Sequence, residues 1–243
     1  HGKTDYIDQM HAAGYDVDVD KYVAMKVQGI TPEYVRQMIK ATGRKPDADE
    51  LIAMKVQGID PDYISKMRSA GYDTDLGKYI AMKVQGITPE YAGEMAKAGL
   101  GKPGVDDLIA MKVQGVSPDF AQKLHSDGIE ISSFHDLISY RIFNVSPEFI
   151  AGMKAAGFGS IPQKKLLDMR IQNVSPERAK EIKAQFPEAT PDDLIQMQIF
   201  HIDADFIASA KRHGFTPLTI QKLVKLRISG ILDDGDDAKD NNQ

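Results

Sequence analysis

The chain has 243 residues, with 35 acidic and 30 basic side chains and a formal net charge of −5. It contains no Cys, which excludes a disulfide framework and a thiolate metal site. Residues 233–240 hold five Asp and one Lys and contribute −4, so the rest of the chain carries about −1. A general nucleic-acid-binding domain usually shows a basic excess, so this balance argues against one.

A ten-residue phrase recurs along the chain, and residues 111–120 give its clearest form, Met-Lys-Val-Gln-Gly-Val-Ser-Pro-Asp-Phe. Consecutive copies lie 28 or 29 residues apart. A fixed period of this length indicates a repeat architecture. Four copies are regular and four are degenerate, and their anchor residues are Met25, Met54, Met82, Met111, Tyr140, Met169, Met197 and Leu226.

The chain opens on an apolar-periodic segment, residues 5–10, that already matches the second half of a unit. We therefore expect the chain to begin inside a repeat, with a helix or a different domain upstream. No run of residues approaches the roughly 18 apolar side chains that a membrane span needs, so we predict no membrane insertion by this segment.

The repeat at residues 47–71 shows how each repeat is built. Asp47 and Glu50 have the spacing of a capping box and predict the start of a first helix, which we call helix A. Gly58 predicts its end, since Gly takes the left-handed conformation at low cost. The predicted apolar face of this helix consists of Leu51, Ile52, Met54 and Val56.

A second helix, helix B, follows in the same unit. Asp60 is a suitable N-cap and Pro61 suits the first helical position, where its missing N–H is not needed. Ile64 and Met67 lie on its apolar face, and Gly71 predicts its end. Each unit is thus a pair of helices of roughly ten residues joined by tight connections.

No segment alternates with period two, so we predict no sheet. A single unit has about eight apolar side chains, whose burial at roughly 1.5–3 kcal/mol each does not offset roughly 1.5 kcal/mol per ordered residue. The units must therefore stack. We predict an all-α solenoid of about eight degenerate 28–29-residue helix–turn–helix repeats, with a single domain over residues 1–231 and a disordered acidic tail over residues 232–243.

The pattern drifts after about residue 129. Asn144 and Asn173 replace the Gly that ends helix A, and Asn still tolerates the left-handed conformation. His201, at the same place in a later unit, is a poorer stop.

No motif in the chain carries recognisable chemistry. The His residues lack the paired spacing of a zinc peptidase helix, and there is no phosphate-binding Gly loop and no nucleophile elbow. All eleven Met fall on two repeat positions. This Met pattern is compatible with a soft-metal site or a promiscuous binding groove, but we interpret it as a core seam. We predict no catalytic, cofactor-binding or metal-binding residues and no enzymatic activity.

One cation recurs in the last turn of nearly every helix A. It complements the helix dipole, worth roughly 0.3–1 kcal/mol, and we favour this structural interpretation. The alternative is a ligand-facing stripe that follows an anionic polymer such as a nucleic acid. The stripe consists of Lys26, Lys55, Lys83, Lys112, Arg141, Arg170 and Arg227.

The repeated phrase, followed by a short helix and Ala-Gly-Tyr or Ala-Gly-Phe, resembles the tandem repeats C-terminal to the peptidase domain of bacterial antirepressor zinc metallopeptidases of the beta-lactam-sensor type. The resemblance covers residues 5–230 and is strongest over residues 5–125. It implies an extracytoplasmic, periplasmic sensing region of a membrane-associated regulator. The family's His-Glu-x-x-His motif and membrane helices are absent from this sequence, so the resemblance implies no peptidase activity here.

The sequence therefore predicts a non-catalytic sensing module that binds a protein or peptide partner, because solenoids present extended surfaces. A nucleic-acid-binding solenoid that uses the cationic stripe is the alternative. A purely structural spacer is the third possibility.

Overall fold

A computed structural model describes residues 5–232 of the chain. Over these residues the fold consists of sixteen helices and no strands. The predicted all-α class is confirmed. The acidic tail predicted from residue 232 lies outside the described residues except for Leu232, which is buried at 3% exposure.

The helices alternate between the two predicted types, and the first is a B helix. The B helices are α1 (Tyr6–Ala12), α3 (Pro32–Thr42), α5 (Pro61–Ser69), α7 (Pro89–Met95), α9 (Pro118–Ser126), α11 (Pro147–Ala155), α13 (Pro176–Gln185) and α15 (Ala204–Arg212). The A helices are α2 (Val19–Val27), α4 (Ala48–Val56), α6 (Leu76–Val84), α8 (Val105–Val113), α10 (Phe134–Ile142), α12 (Gln163–Ile171), α14 (Pro191–Ile199) and α16 (Ile220–Ser229).

The predicted caps define the helix ends. The Asp47 side chain accepts from the backbone N–H of Glu50, and the Glu50 side chain accepts from that of Asp47, which confirms the capping box. At the end of α4, Gly58 has a φ of 73°, and the N–H of Ile59 donates to the Met54 carbonyl at 2.9 Å. This is the geometry of a Schellman stop, and it confirms the predicted end of the helix at Gly58.

Where Gly is missing at this stop, the replacement still adopts the left-handed conformation. The φ angles of Asn144, Asn173 and His201 are 56°, 60° and 52°. The prediction for the two Asn residues is confirmed, and His201, predicted to be a poorer stop than Gly, adopts the same geometry.

The methionines form the predicted core seam. Ten of the eleven are 0% exposed and Met197 is 3% exposed. Within each unit they lie between stacked helices, where a flexible thioether fills irregular gaps.

The chain divides into two compact units. Unit 1 comprises residues 1–122 and 132–135, and unit 2 comprises residues 123–131 and 136–243. In unit 1 the A helices α2, α4, α6 and α8 pack one against the next, as do the B helices α3, α5 and α7. In unit 2, α12 packs on α14, α14 on α16, and α11 on α13. This packing of like on like is the solenoid pattern, and it is present in both units. A domain boundary at residue 231 stays a prediction.

None of the described helices is both long enough and apolar enough to cross a membrane.

Candidate ligand-binding surface on the A helices

The periodic cations lie in the last turn of their A helices, as predicted. The cations of α2, α4, α6, α8, α12 and α16 each pack on an aromatic ring. The ring belongs to the B helix that precedes the cation in the chain. In unit 1 the Nζ-to-centroid distances are 4.8 to 5.0 Å. The pairs are Lys26 on Tyr6, Lys55 on Tyr34, Lys83 on Tyr63 and Lys112 on Tyr91.

The tyrosine rings are held in place by their hydroxyls. The Tyr63 hydroxyl donates to the Ile87 carbonyl at 2.7 Å, and the Tyr91 hydroxyl donates to the Val116 carbonyl at 2.7 Å. The Tyr34 hydroxyl reaches the Ile59 carbonyl at 3.0 Å. Burial is the main reason that the pKa values of Tyr34, Tyr63 and Tyr91 rise to about 12. All three hydroxyls therefore stay protonated donors at neutral pH.

In unit 2 the same pairing uses arginine and phenylalanine. The Arg170 guanidinium lies 4.6 Å from the Phe149 ring, and its Nε donates to the Phe143 carbonyl at 3.2 Å. Arg227 lies 4.1 Å from the Phe206 ring. Its Nε donates to the carbonyl at position 200, the C-cap of α14, at 2.9 Å. These two arginines are tied to the backbone of the preceding A helix.

The four lysines of unit 1 differ in this respect. Within the described part of the chain, the side chains of Lys26, Lys55, Lys83 and Lys112 have no hydrogen bond and no ion pair. Their ammonium groups are positioned by the rings, but their N–H groups remain available to a ligand.

In one repeat, both the aromatic ring and the cation of the pair are replaced by other residues. Arg178 stands at the ring position of α13, and its Nη2 donates to the Ile202 carbonyl at 2.9 Å, as the tyrosine hydroxyls do elsewhere. The cation position of the following helix α14 is then the neutral Gln198. A cation there would face Arg178, so this double replacement supports the pairing as the structural reason for the recurrent cation.

Next to each cation in the chain is an exposed aliphatic residue at the end of the A helix. In unit 1 the exposures of Val27, Val56, Val84 and Val113 are 75%, 57%, 58% and 57%. In unit 2 the exposed equivalents are Ile142, Ile171, Ile199 and Ile228. We call the lysines and valines of unit 1, namely Lys26, Val27, Lys55, Val56, Lys83, Val84, Lys112 and Val113, the A-helix stripe.

The sequence analysis placed Val56 on the buried face of α4, and that assignment is wrong. Leu51 and Met54 lie three residues apart, on one side of the helix, and both are 0% exposed. Val56 follows Met54 by two residues, which turns it about 200° around the axis and away from the core. The pattern of apolar residues alone did not separate these two faces.

The cation–ring contact was also missed, although the sequence contains a signal for it. An aromatic residue occupies the same position near the start of most B helices, 20 or 21 residues before the cation. Only the stacking of successive hairpins brings the two together.

Among the described residues, no group of three or more His, Asp or Glu side chains could hold a metal ion. Comparison of the chain with protein-family models, curated proteins and solved structures finds no match. The resemblance to antirepressor metallopeptidase repeats therefore stays a prediction.

Proposed function

We propose that the chain is a non-catalytic binding module whose A-helix stripe takes an extended, acidic and aliphatic segment of a partner protein. The observation that carries this proposal is the recurrence of an exposed valine beside a ring-supported lysine on all four A helices of unit 1.

The valines contribute little to the fold from these positions. A β-branched side chain has a lower helix propensity than a straight chain, and at this exposure it is largely outside the core. Burying such a side chain against a partner contributes roughly 1.5–3 kcal/mol when burial is complete. A repeated, exposed aliphatic position is therefore better explained by binding than by folding.

The lysines supply the charge complementarity that defines the partner. Each ammonium is anchored on one side by a ring, so less side-chain freedom is lost when a carboxylate binds. Acidic side chains of the partner would pair with these cations, while its aliphatic side chains would contact the valines.

The spacing of the stripe suggests the period of the partner. Packed helices lie about 8–10 Å apart. An extended polyproline-type segment advances about 3.1 Å per residue, so every third residue covers about 9 Å and faces the same way. The matching segment carries an acidic and an aliphatic residue in each group of three.

Isothermal titration calorimetry with a peptide of four Asp-Val-Ser triplets tests this proposal. A peptide of the same residues in shuffled order should bind about tenfold more weakly, equivalent to about 1.4 kcal/mol. Replacing Val56 and Val84 by Ser should weaken binding by tenfold or more, because each loses about one or two buried carbon groups at about 0.8 kcal/mol each.

Lys66→Gln is a matched control, since Lys66 is an exposed lysine of α5 that pairs with Asp62 and lies outside the stripe. It should leave the affinity unchanged, whereas Lys55→Gln with Lys83→Gln should reduce it. Equal affinity for both peptides would contradict the proposal. Binding of single-stranded DNA with steep salt dependence, but of neither peptide, would favour the nucleic-acid alternative.

The larger protein implied by the resemblance, a bacterial membrane-associated regulator with a periplasmic sensing region, is part of the same proposal. A partner segment exposed at the cell envelope would support it.

A further inference from the structure

In unit 1, one polar contact between a lysine and a backbone carbonyl recurs every second repeat. Gly14 follows the end of α1, and its carbonyl accepts a hydrogen bond from the ammonium of Lys45, which lies in the loop before α4. The Lys45 Nζ lies 4.6 Å from the Tyr15 ring centroid. The same arrangement occurs 57 residues later, where the ammonium of residue 102 donates to the Gly71 carbonyl 4.7 Å above the Tyr72 ring. In both places, a lysine from the next loop that joins a B helix to an A helix fills a slot beside the end of the earlier B helix.

The tyrosine completes each slot. The Tyr15 hydroxyl donates to the Pro46 carbonyl at 2.6 Å, and the Tyr72 hydroxyl donates to the Pro103 carbonyl at 2.9 Å. Each slot is therefore closed by one ammonium and one phenol, with both carbonyls satisfied.

Unit 2 contains a third position of this kind, but it lacks both the tyrosine and the lysine. Gly128 follows Gly71 by 57 residues, and Ile129 stands where the tyrosine stood. The slot lysine of unit 1 stands six residues before a buried leucine of the next A helix. This position is Lys45 in the first slot, Lys102 in the second and Ser160 in the third. Ser160 has no side chain long enough to reach the carbonyl of Gly128.

The space beside the glycine of each slot shows whether a side chain fills it. A Cβ atom at Gly14 would lie 2.6 Å from Lys45 Nζ, and one at Gly71 would lie 2.7 Å from the Nζ at residue 102. A Cβ atom at Gly128 would meet nothing within 4 Å. The slot that a lysine fills twice in unit 1 is open over Gly128 in unit 2, whereas beside Gly157 the Lys183 stem occupies the space and its Nζ lies 4.8 Å from the Phe158 ring centroid.

A cleft of about 360 Å³ occupies this place. Gly128, Ile129, Ser160 and Ile161 line it, together with the apolar Ile150 and Phe158. Ligand sites commonly have volumes of about 300–1,000 Å³, so the cleft is large enough for a small ligand or a partner's side chain.

The charges around the cleft favour a cation. Asp127 and Glu130 line it beside a single basic side chain, Lys154. No side chain in the described part of the chain donates to the carbonyl of Gly128 or of Ile161, the counterparts of the two carbonyls satisfied in unit 1. Lys154 is exposed, and it does not approach the open space over Gly128.

We propose that this cleft of unit 2, the lysine-slot cleft, binds a primary alkylammonium group, as carried by a lysine side chain of a partner or by a free aliphatic amine. The ammonium takes the place of the Lys45 ammonium and donates to the Gly128 carbonyl. Its aliphatic stem packs on the aliphatic lining of the cleft, Ile129 and Ile150. This site shares no residue with the A-helix stripe and does not rest on the function proposed for it.

Titration of the isotope-labelled full chain with Nα-acetyl-lysine N-methylamide, followed by amide chemical shifts, tests the site. The shifts of Gly128, Ile129 and Ser160 should saturate. Nα-acetyl-norleucine N-methylamide, which lacks the ammonium, should bind about tenfold more weakly, since a charged hydrogen bond contributes about 1.5–3 kcal/mol. Pentylamine distinguishes the sources: equal binding indicates a free amine, and weaker binding than the capped lysine indicates a protein side chain.

Two variants provide matched controls. Ile129→Tyr with Ser160→Lys restores the residues of unit 1, fills the slot and should abolish the saturable shifts. Lys45→Ser opens the slot in unit 1 and should create a second site, reported by the amide of Gly14. The unit 1 arrangement already occurs twice in this chain, so the filled variant is expected to fold.

The sign of the ligand charge is tested by Lys154→Gln, which removes the one cation of the cleft and should tighten binding of the capped lysine. Weaker binding in this variant would overturn the assignment, because it would mean that Lys154 itself holds the ligand. Absence of saturable shifts, equal binding of lysine and norleucine, or undiminished binding in the filled variant would each also overturn it.

Discussion

Unit 1 and unit 2 are built on the same buried seam but differ in the polar contacts around it. Both bury their methionines and both end most A helices with a left-handed residue. At the cation position of the A helices, unit 1 supports lysines on tyrosines, whereas unit 2 supports arginines on phenylalanines or omits the pair. The apolar seam is therefore what the fold requires, and the polar contacts between repeats can be exchanged.

The ion pairs between successive A helices show the same freedom. Lys78 and Asp106 join α6 to α8 at 2.6 Å, and Lys21 and Asp49 join α2 to α4 at the matching positions. Lys165 and Asp192 join α12 to α14 in unit 2. At the corresponding positions of α10 and α12 the charges are reversed, with Asp136 first and Lys164 second. Exposed pairs of this kind contribute only about 0–1 kcal/mol, so their exchange costs the fold little.

The largest expected effect comes from the shared seam. Met54→Ala in unit 1 and Met169→Ala in unit 2 each remove a side chain that is 0% exposed. Each should lower the free energy of unfolding by about 2–5 kcal/mol because a cavity is left in the core. Denaturant unfolding followed by circular dichroism measures both. An exposed control, Val56→Ala, should change stability by only a few tenths of a kcal/mol, roughly within ±0.5. A cost below about 1 kcal/mol at only one of the two methionines would show that the seam is not equivalent in the two units.

A smaller effect is expected at the helix stops, where the two units differ. Gly58→Ala places a Cβ at a φ of 73° and should cost about 1–2 kcal/mol, although nothing lies within 4 Å of that Cβ. His201→Gly relieves the same conformation in unit 2, where φ is 52°, and should stabilise by up to about 1 kcal/mol. Thermal melts of the two variants check the opposite signs. Destabilisation by His201→Gly would mean that the His201 side chain makes a compensating contact.

The smallest effect concerns alkaline pH and separates the units by their tyrosines. Eight of the nine Tyr lie in unit 1, and Tyr140 is the one in unit 2. The pKa values of Tyr34, Tyr63 and Tyr91 are raised from 10 to about 12, mainly by burial. A raised folded-state pKa gives stability that is complete below pH 10 and is lost as the pH rises toward 12.

Unit 1 should therefore lose structure before unit 2 as the pH rises from 10 to 12. Absorbance at the tyrosinate band together with residue-specific amide signals measures the order of loss. Replacing Tyr34, Tyr63 and Tyr91 by Phe should cost about 0.5–1.5 kcal/mol each at neutral pH, because a hydrogen bond to a carbonyl is lost. The same variant should show a weaker loss of stability in the alkaline range. Simultaneous loss of both units in the native chain would contradict a tyrosine-based difference.

The repeat, the alternation of A and B helices, the caps and the methionine seam could all be predicted from the amino-acid sequence. These features follow from patterns within one helix or one turn, such as Asp47 three residues before Glu50, Gly58 after the last turn, or Met54 three residues after Leu51. Local backbone geometry and the period of the helix are sufficient to predict them.

Which polar residues meet across neighbouring repeats could not be predicted from the sequence, because it depends on how the repeats stack. The contact of Lys83 with Tyr63 and the open slot over Gly128 depend on residues 20 to 32 positions apart that meet when hairpins stack. The period of a single helix carries no information about such contacts, because they are set by how one repeat lies on the next.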